Sequence, residues 1–345
     1  MGLGDLWFGE SPSARAGRAA LAPLAAAWGG VAAARNALYD RGVLRSAGPA
    51  LPALSVGNLS AGGTGKTPVA AYLARALRRL GATPAIVMRG YGDDEPKVHA
   101  LLNPDVPVFA GSDRFAGARA ARDAGCDVVV LDDAFQHRRV RRVVDLVLVA
   151  AEQWTRPPRL LPVGPYREPP SALDRASLVL ITRKSQDAAG ARAVRDELRR
   201  VTSAPVGITA LRLDALRMAT GGTETRALSF LTGARLLAVA GVGAPAAFAK
   251  QLEAEGGRVT LAAFRDHHAF TATEAVALAR RAEGMDFVVC TLKDAVKLGP
   301  LWPRAAPSLW YVSQRIDLED GEQRLDDELR RLLDARHAAH TPTTG

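Results

Sequence analysis

Ser55-Val56-Gly57-Asn58-Leu59-Ser60-Ala61-Gly62-Gly63-Thr64-Gly65-Lys66-Thr67 is the stretch on which the fold of this chain turns. An apolar run, Ala53–Val56, enters it, and an apolar-periodic stretch, Val69–Leu80, leaves it. A glycine-rich turn between a strand and a helix is the setting that a phosphate-binding loop requires. Glycines let backbone N–H groups converge on phosphate oxygens, and the helix N-terminus adds its partial positive charge. Ser60, Ala61, Gly62, Gly63, Thr64, Gly65, Lys66 and Thr67 are therefore the expected nucleotide-binding residues. In that role Lys66 neutralises the β- and γ-phosphates and the Thr67 hydroxyl ligates Mg²⁺. The loop is a variant, because Ser60 stands where the first glycine usually does and the glycines have moved inward to Gly62 and Gly63.

Downstream, Asp127-Val128-Val129-Val130-Leu131-Asp132-Asp133 reads as a buried strand ending in two carboxylates. Phosphoryl-transfer proteins place such an aspartate beside Mg²⁺ at the carboxyl end of a strand. Together the two signals imply a Mg-nucleotide, ATP or GTP, and leave the phosphate acceptor open. Further apolar runs at Ala85–Met88, Leu146–Val149 and Leu178–Ile181 alternate with helical stretches such as Arg114–Ala124. A second set, Leu236–Ala240, Val259–Ala262, Phe287–Cys290 and Leu309–Val312, alternates with helices at Pro245–Glu255, Thr273–Glu283 and Asp326–Ala335. This pattern predicts an α/β fold, a P-loop NTPase-like, mostly parallel sheet with helices on both faces, followed by a smaller C-terminal α/β domain. With Ala219–Thr225 as linker, the expected division is a helical region over 1–48, a P-loop core over 49–220 and a C-terminal domain over 221–345, its last residues frayed.

The chain has 345 residues, 48% hydrophobic and 23% charged, a globular composition that excludes wholesale disorder. Lys and Arg number 45 against 36 Asp and Glu, and a net charge of +9 favours anionic partners without choosing among them. No RNA-binding aromatic pattern or zinc module accompanies the charge, so nucleic acid is not an expected partner. No obligate protein partner is evident. Cys126 and Cys290 fit neither a zinc site nor a disulfide framework and point to a reducing compartment. No stretch reaches the roughly 20 apolar residues that span a bilayer. Leu21, Leu24, Trp28 and Val31 nevertheless recur at helical spacing, and Arg15, Arg18 and Arg35 lie in a segment without acidic residues. Such a helix either lies in the headgroup region of a membrane or packs on the protein's own core.

Longer motifs carry a resemblance. Trp7-Phe8-Gly9-Glu10-Ser11-Pro12, the loop through Pro68, Arg89-Gly90-Tyr91 with Asp93-Asp94-Glu95-Pro96, and Asp132-Asp133-Ala134-Phe135-Gln136-His137-Arg138-Arg139 are four of them. Leu160 to Pro169, Asp266-His267-His268 and Thr291-Leu292-Lys293-Asp294-Ala295-Val296-Lys297 complete the set. In this order they resemble the tetraacyldisaccharide 4′-kinase family, the lipid A 4′-kinases, from about residue 5 to about residue 315. Ala134 stands where the family often has Gly, Leu292 where it often has Glu, and the stretch between Tyr91 and Asp94 is short.

The resemblance implies transfer of the γ-phosphate of ATP to the 4′-hydroxyl of a tetraacylated glucosamine disaccharide 1-phosphate, giving lipid IVA. It also implies work at the cytoplasmic face of the bacterial inner membrane, with the basic helix near Leu21–Leu38 as the membrane-associating element. Asp94 resembles the family's catalytic aspartate, with its neighbour Asp93 as the alternative, and His267 the histidine paired with it. One of the pair accepts the proton of the attacking alcohol, while Lys66 stabilises charge on the moving phosphoryl group. Thr67, Asp132 and Asp133 are the expected Mg²⁺ donors, with Glu95 and Glu168 as further members of that shell or as structural ion pairs. Tyr91, Arg114, Gln136, His137 and Arg167 are candidates for the disaccharide or its 1-phosphate. A cleft between the two halves that closes on ATP and lipid is the expected way to exclude water. A membrane-attached P-loop switch or partitioning ATPase is the alternative; it shares the loop but leaves Asp94-Glu95-Pro96 and Gly164 to Pro169 unexplained.

Overall fold

A computed structural model describes residues 3–90, 94–155, 157–220 and 222–340. Tyr91, Asp93 and the terminal residues 341–345 therefore lie outside the described residues. In chain order the elements are α1 (Leu3–Phe8), α2 (Pro12–Asp40), β1 (Ala53–Asn58), α3 (Lys66–Arg79), β2 (Pro84–Met88), α4 (Asp94–Leu102), β3 (Val108–Ala110) and α5 (Arg114–Asp123). Then come β4 (Val128–Asp132), β5 (Val144–Ala150), β6 (Leu178–Arg183), α6 (Ala188–Leu198), β7 (Val206–Met218), β8 (Thr225–Ala227) and β9 (Arg235–Ala240). The chain ends with α7 (Pro245–Ala254), β10 (Arg258–Ala263), α8 (Ala272–Arg281), β11 (Phe287–Cys290), α9 (Leu292–Leu298), β12 (Leu309–Asp320) and α10 (Glu322–His340).

Two compact units form. The first comprises Met1–Gly90, Asn103–Ala210 and Leu318–Gly345; the second comprises Tyr91–Leu102 and Leu211–Asp317. This departs from the expected division in four places, the first being Tyr91–Leu102, which belongs to the second unit rather than to the core. The N-terminal region belongs to the first unit, the chain crosses within β7 rather than at Ala219–Thr225, and it returns within β12. The cause is strand length: β7 has 13 residues and β12 has 12, so each begins in one unit and ends in the other. The Gly/Thr-rich segment is instead the turn between β7 and β8.

In the first unit the strands run β3-β2-β4-β1-β5-β6-β7, all parallel. Every residue of β1, β2 and β4 is buried, as strands covered on both faces must be. Ala53, Ala85, Val87, Val129 and Leu131 pack on Ala118 and Ala121 of α5. On the same sheet, Val147, Val149, Val179 and Ile181 pack on Ala191, Val194 and Leu198 of α6. Helix α3 lies against β1, β2 and β4, and α10 lies against β4, β5 and β6. The parallel order puts the carboxyl ends of β1 and β4 side by side, through the pair Val56 and Asp132.

Helix α2 begins at an N-cap, Ser11, whose hydroxyl accepts the Ala14 N–H at 3.2 Å, and runs through Pro23 without ending. One side of it bonds to the first unit. The Trp28 indole donates to the Arg167 carbonyl at 2.9 Å, the Arg35 guanidinium to the Gln136 carbonyl at 2.8 Å and the Asn36 amide to Glu168 Oε2 at 2.6 Å. Arg18 is buried and donates to the carbonyls of Leu6 and Gly9. Two of the arginines that make this helix basic are thus engaged inside the protein. Leu24, Trp28, Val31 and Leu38 expose 59%, 45%, 66% and 40% of their surface, so the apolar stripe faces outward while Leu21 is half-buried. No helix of the described residues is long and apolar enough to cross a membrane.

The second unit orders its strands β10-β9-β11-β12-β7-β8, with β10 to β12 parallel and β8 antiparallel to β7. Alternate residues separate two cores. Leu237, Val239, Val288 and Cys290 pack with α8 and α9, whereas Leu236, Ala238 and Val289 pack with Phe248 and Leu252 of α7. Helix α4 belongs to this unit and packs on α9.

Candidate active site

The phosphate loop grows directly out of β1. Gly57 is required there, because a Cβ would stand 2.4 Å from the Phe135 Cβ and 2.7 Å from its backbone nitrogen. Asn58, fully buried, donates to the Ser60 carbonyl at 2.6 Å and to the Thr64 hydroxyl at 3.0 Å, folding the loop over itself. Gly65 turns the chain into α3 with φ +87, a conformation that favours glycine. From the end of β6, the Thr182 hydroxyl donates to the Thr64 carbonyl at 2.9 Å. Lys184 Nζ donates to the Gly63 carbonyl at the same distance. These bonds hold loop carbonyls outward, while the first N–H groups of α3 lack intrahelical acceptors and suit an anion. The Glu152 carboxylate in turn fixes the turn after β6 by accepting the N–H groups of Lys184, Ser185 and Gln186 at 2.5, 2.9 and 3.1 Å.

Ser60 and Ala61 sit differently from the rest of the expected nucleotide-binding set. Ser60 is buried and makes an antiparallel bridge to Tyr166, and the Ala61 N–H is spent on the Pro165 carbonyl at 2.7 Å. They tie the loop to its wall, and that extended pairing is why a serine is accommodated where glycine is usual.

The carboxylates at the end of β4 take different roles. Asp132 is buried at the strand end, beside Val56 of β1. Asp133 has φ +53, and its Oδ1 lies 3.6 Å from Lys66 Nζ and 3.3 Å from Arg167 Nη1. Glu168 is buried, and its Oε2 takes Asn36 and Arg175 (2.6 and 2.9 Å), while Oε1 has no hydrogen-bond partner among the described residues. Thr67 is buried in the first turn of α3. Among the described residues no three His, Cys, Asp or Glu side chains gather as a metal cage. Hard oxygen donors such as Thr67 and Asp132 still fit Mg²⁺, which is usually held by one or two carboxylates together with phosphates.

The acceptor-side candidates of the first unit are strongly basic. Arg114 is buried and donates to the Gly111 carbonyl at 3.0 Å. Burial, then the charges of Arg114, Arg142, Arg139 and Arg35, push the His137 imidazole below its usual range, so it is neutral near pH 7. Gln136 donates from Nε2 to the Asn58 carbonyl at 2.8 Å, which joins the loop after β4 to the phosphate loop.

Asp94 and His267, expected from different domains, belong to the same unit. Asp94 starts α4, and its Oδ2 lies 3.9 Å from His267 Nδ1. The Asp94 side chain is 10% exposed and that of His267 53%. His267 has φ +57; with Asp133 it is one of two non-glycine residues of positive φ among the described residues. Such conformations cluster at functional sites. Its neighbour His268 is engaged elsewhere, 3.0 Å from Glu274 and against Phe264. Glu95 lies 3.1 Å from Lys293 Nζ, an ion pair within this unit. Asn58, Thr182, Lys184 and Glu152 carry the loop without having stood out in the sequence, because a polar residue that bonds a distant backbone has no local signature.

A parallel sheet whose first strand delivers a glycine turn and a lysine to a helix start, beside a strand ending in carboxylates, defines a P-loop phosphotransferase fold. The model of the LpxK family, tetraacyldisaccharide-1-P 4′-kinase, matches residues 17–334. Curated relatives agree. A tetraacyldisaccharide 4′-kinase of Anaeromyxobacter dehalogenans (strain 2CP-C) is 40% identical, the match covering 98% of this chain and 94% of the relative. That of Xanthomonas axonopodis pv. citri is 35% identical over 85% of this chain and 86% of the relative. Among solved structures, the Aquifex aeolicus LpxK in complex with ATP aligns with a TM-score of 0.72 and 28% identity, covering 91% of this chain and 99% of that one. This chain belongs to the tetraacyldisaccharide-1-P 4′-kinase family.

Proposed function

We infer that this protein is a kinase that transfers the γ-phosphate of ATP to the 4′-hydroxyl of a tetraacylated disaccharide 1-phosphate, in lipid A biosynthesis. The observation that carries the reading is Lys66 on a glycine turn at the start of α3, 3.6 Å from Asp133, in a chain that its family matches over most of its length. In this reading the loop amides and Lys66 hold the triphosphate and stabilise the charge that develops on the transferred group. Thr67 and Asp132 would hold Mg²⁺, with Asp133 and Glu168 as further carboxylates of the same unit. When bound, the ion neutralises phosphate charge. Asp94, oriented by His267, accepts the proton of the attacking hydroxyl. Arg114 and Arg167 recognise the anionic sugar, since guanidinium groups pair with phosphate oxygens, and the His137 imidazole offers a hydrogen-bonding group to the same sugar. Gln136 and, outside the described residues, Tyr91 remain candidates for the sugar.

An acylated substrate stays in a bilayer, so we place the enzyme at the inner-membrane surface on its cytoplasmic side, where ATP is. The exposed side chains of Leu24, Trp28, Val31 and Leu38, followed by Val43 and Leu44, support docking by α2 in the headgroup layer. The test is thin-layer separation of product after incubation with labelled ATP and the acylated disaccharide. Wild type is expected to label the lipid and Lys66→Ala to leave it unlabelled. ATP turnover of equal rate with and without the lipid would contradict the reading and favour a switch ATPase.

A further inference from the structure

Thr291-Leu292-Lys293-Asp294-Ala295-Val296-Lys297 has no part in the chemistry described so far, yet one of its side chains, Lys297, reaches the proposed base. Lys297 Nζ lies 4.0 Å from Asp94 Oδ2 and 3.5 Å from Asp294 Oδ1. It also stands over the Phe270 ring, 5.7 Å from its centroid. Asp294 is fully buried, and its Oδ2 accepts the Gly241 N–H at 3.0 Å and the Thr291 hydroxyl at 2.7 Å. Thr291 is the N-cap of α9, so the aspartate is fixed by the same residue that starts its helix. Gly241 leaves room for it, because a Cβ there would come within 2.9 Å of Asp294 Oδ1.

A buried carboxylate without a counter-ion is costly, so Asp294 retains the lysine beside it. The ammonium has three N–H donors and reaches a second carboxylate from that anchored position. Asp94 needs such a restraint. Its side chain lies in the first turn of α4, and its other neighbour, His267, is half in solvent. Lys293, one helical turn earlier on α9, pairs with Glu95 in the same way. Helix α9 therefore offers two lysines to two consecutive carboxylates of α4.

We infer that Lys297 is a positioning residue for the phosphotransfer: anchored by buried Asp294, it holds the Asp94 carboxylate in the orientation that meets His267. The inference rests on the proposed role of Asp94 as the base. The test uses the full-length chain with labelled ATP and the acylated disaccharide in detergent micelles. Lys297→Met is expected to lower kcat about tenfold with KM for ATP and lipid within about twofold, as loss of a transition-state interaction does. Lys297→Arg, which keeps the charge, recovers kcat to within about threefold. In an Asp94→Asn background, Lys297→Met costs less than about twofold further, since coupled residues are not additive. Should Lys297→Met not fold, Asp294→Asn keeps the shape of the anchor while removing its charge, and a fall in kcat of about threefold or more is expected. A wild-type kcat in the folded lysine or anchor variant, or an equal loss with and without Asp94, overturns the positioning role. A wild-type kcat in Asp94→Asn instead overturns the assignment of the base.

Discussion

The loop region of the first unit and the dyad region of the second are built by different means. Around the loop, Asn58, Thr64, Thr182 and Ser60 are all buried, and the bonds that shape it run mostly to backbone carbonyls. Around the dyad, Asp94 meets the side chains of His267 and Lys297 at 3.9 and 4.0 Å, and His267 is half-exposed. A triphosphate is bound chiefly by backbone N–H groups, and their places are set once the loop is folded. A general base must accept a proton and release it, so it relies on side chains that keep some freedom. The two regions should therefore fail differently when altered.

The largest effect is expected at the loop. Lys66→Ala should lower transfer by about 10³-fold or more, the scale of losing an electrostatic contact made in the transition state. Circular dichroism should be unchanged, because Lys66 lies at the start of α3 and pairs there with Asp133, outside the apolar core. Wild-type transfer by Lys66→Ala would remove the contrast between the regions altogether.

Next come the dyad variants. Asp94→Ala and His267→Ala should each lower kcat by about 10²-fold, as losses of general-base groups do. The double variant should be no more than about twofold worse than either, because the two act as one unit. Independent losses that multiply would mean that the 3.9 Å approach has no functional meaning. Asp93, outside the described residues, is the control: a dead Asp93→Ala beside an active Asp94→Ala shifts the base by one position.

A third contrast concerns the exposed Leu24 and Val31 of α2, the helix whose Arg35 and Asn36 bond to Gln136 and Glu168. Leu24→Asp with Val31→Asp should weaken binding to vesicles containing anionic lipid by about tenfold or more, since each change removes an apolar side chain from the headgroup layer. ATP binding should stay as it was, because neither side chain faces the loop. Unaltered vesicle binding would return α2 to a purely structural helix.

The difference between the regions also explains what the sequence disclosed. The glycine turn, Lys66-Thr67 and the strand ending in Asp132-Asp133 are local, so their spacing alone predicted a nucleotide site and most of the parallel sheet. The strands β1, β2, β4, β5 and β6 are buried runs, and each was legible as such. Strand β7 was not, because beyond Ala210 its exposed Arg212, Asp214 and Arg217 interrupt the apolar pattern. Helix α4 was hidden by Pro96 in its first turn, where proline is tolerated, and α9 by its seven-residue length. The dyad was legible only through resemblance, since Asp94 and His267 are brought together by the packing of α4 within the second unit. The linker Ala219–Thr225 showed a real turn but not the unit boundary, which the long strands carry past it.

The smallest expected effect tests how rigidly the loop is held. Loss of water contact pushes the Glu152 carboxyl up, but the N–H groups of Lys184, Gln186, Glu152 itself and Ser185 outweigh this and hold it below its usual range. Glu152→Gln keeps the shape and removes the charge that gathers those donors. It should lower Tm near pH 7 by about 2 °C, a modest change for a chain of this size. A carboxyl depressed by folding stabilises the native state above its unfolded pKa, and that stabilisation is lost as pH falls through the lower folded value. The Tm gap between wild type and Glu152→Gln should thus be constant from pH 7 to about 5, then close as pH falls below the ordinary glutamate range. Because the same turn delivers Lys184 to the Gly63 carbonyl, the variant should also raise KM for ATP more than it lowers kcat. A gap that keeps its size down to pH 3 would show that the charge of Glu152 does not fix the turn, and that the loop owes its shape to its other bonds, those of Asn58 and Thr182 among them.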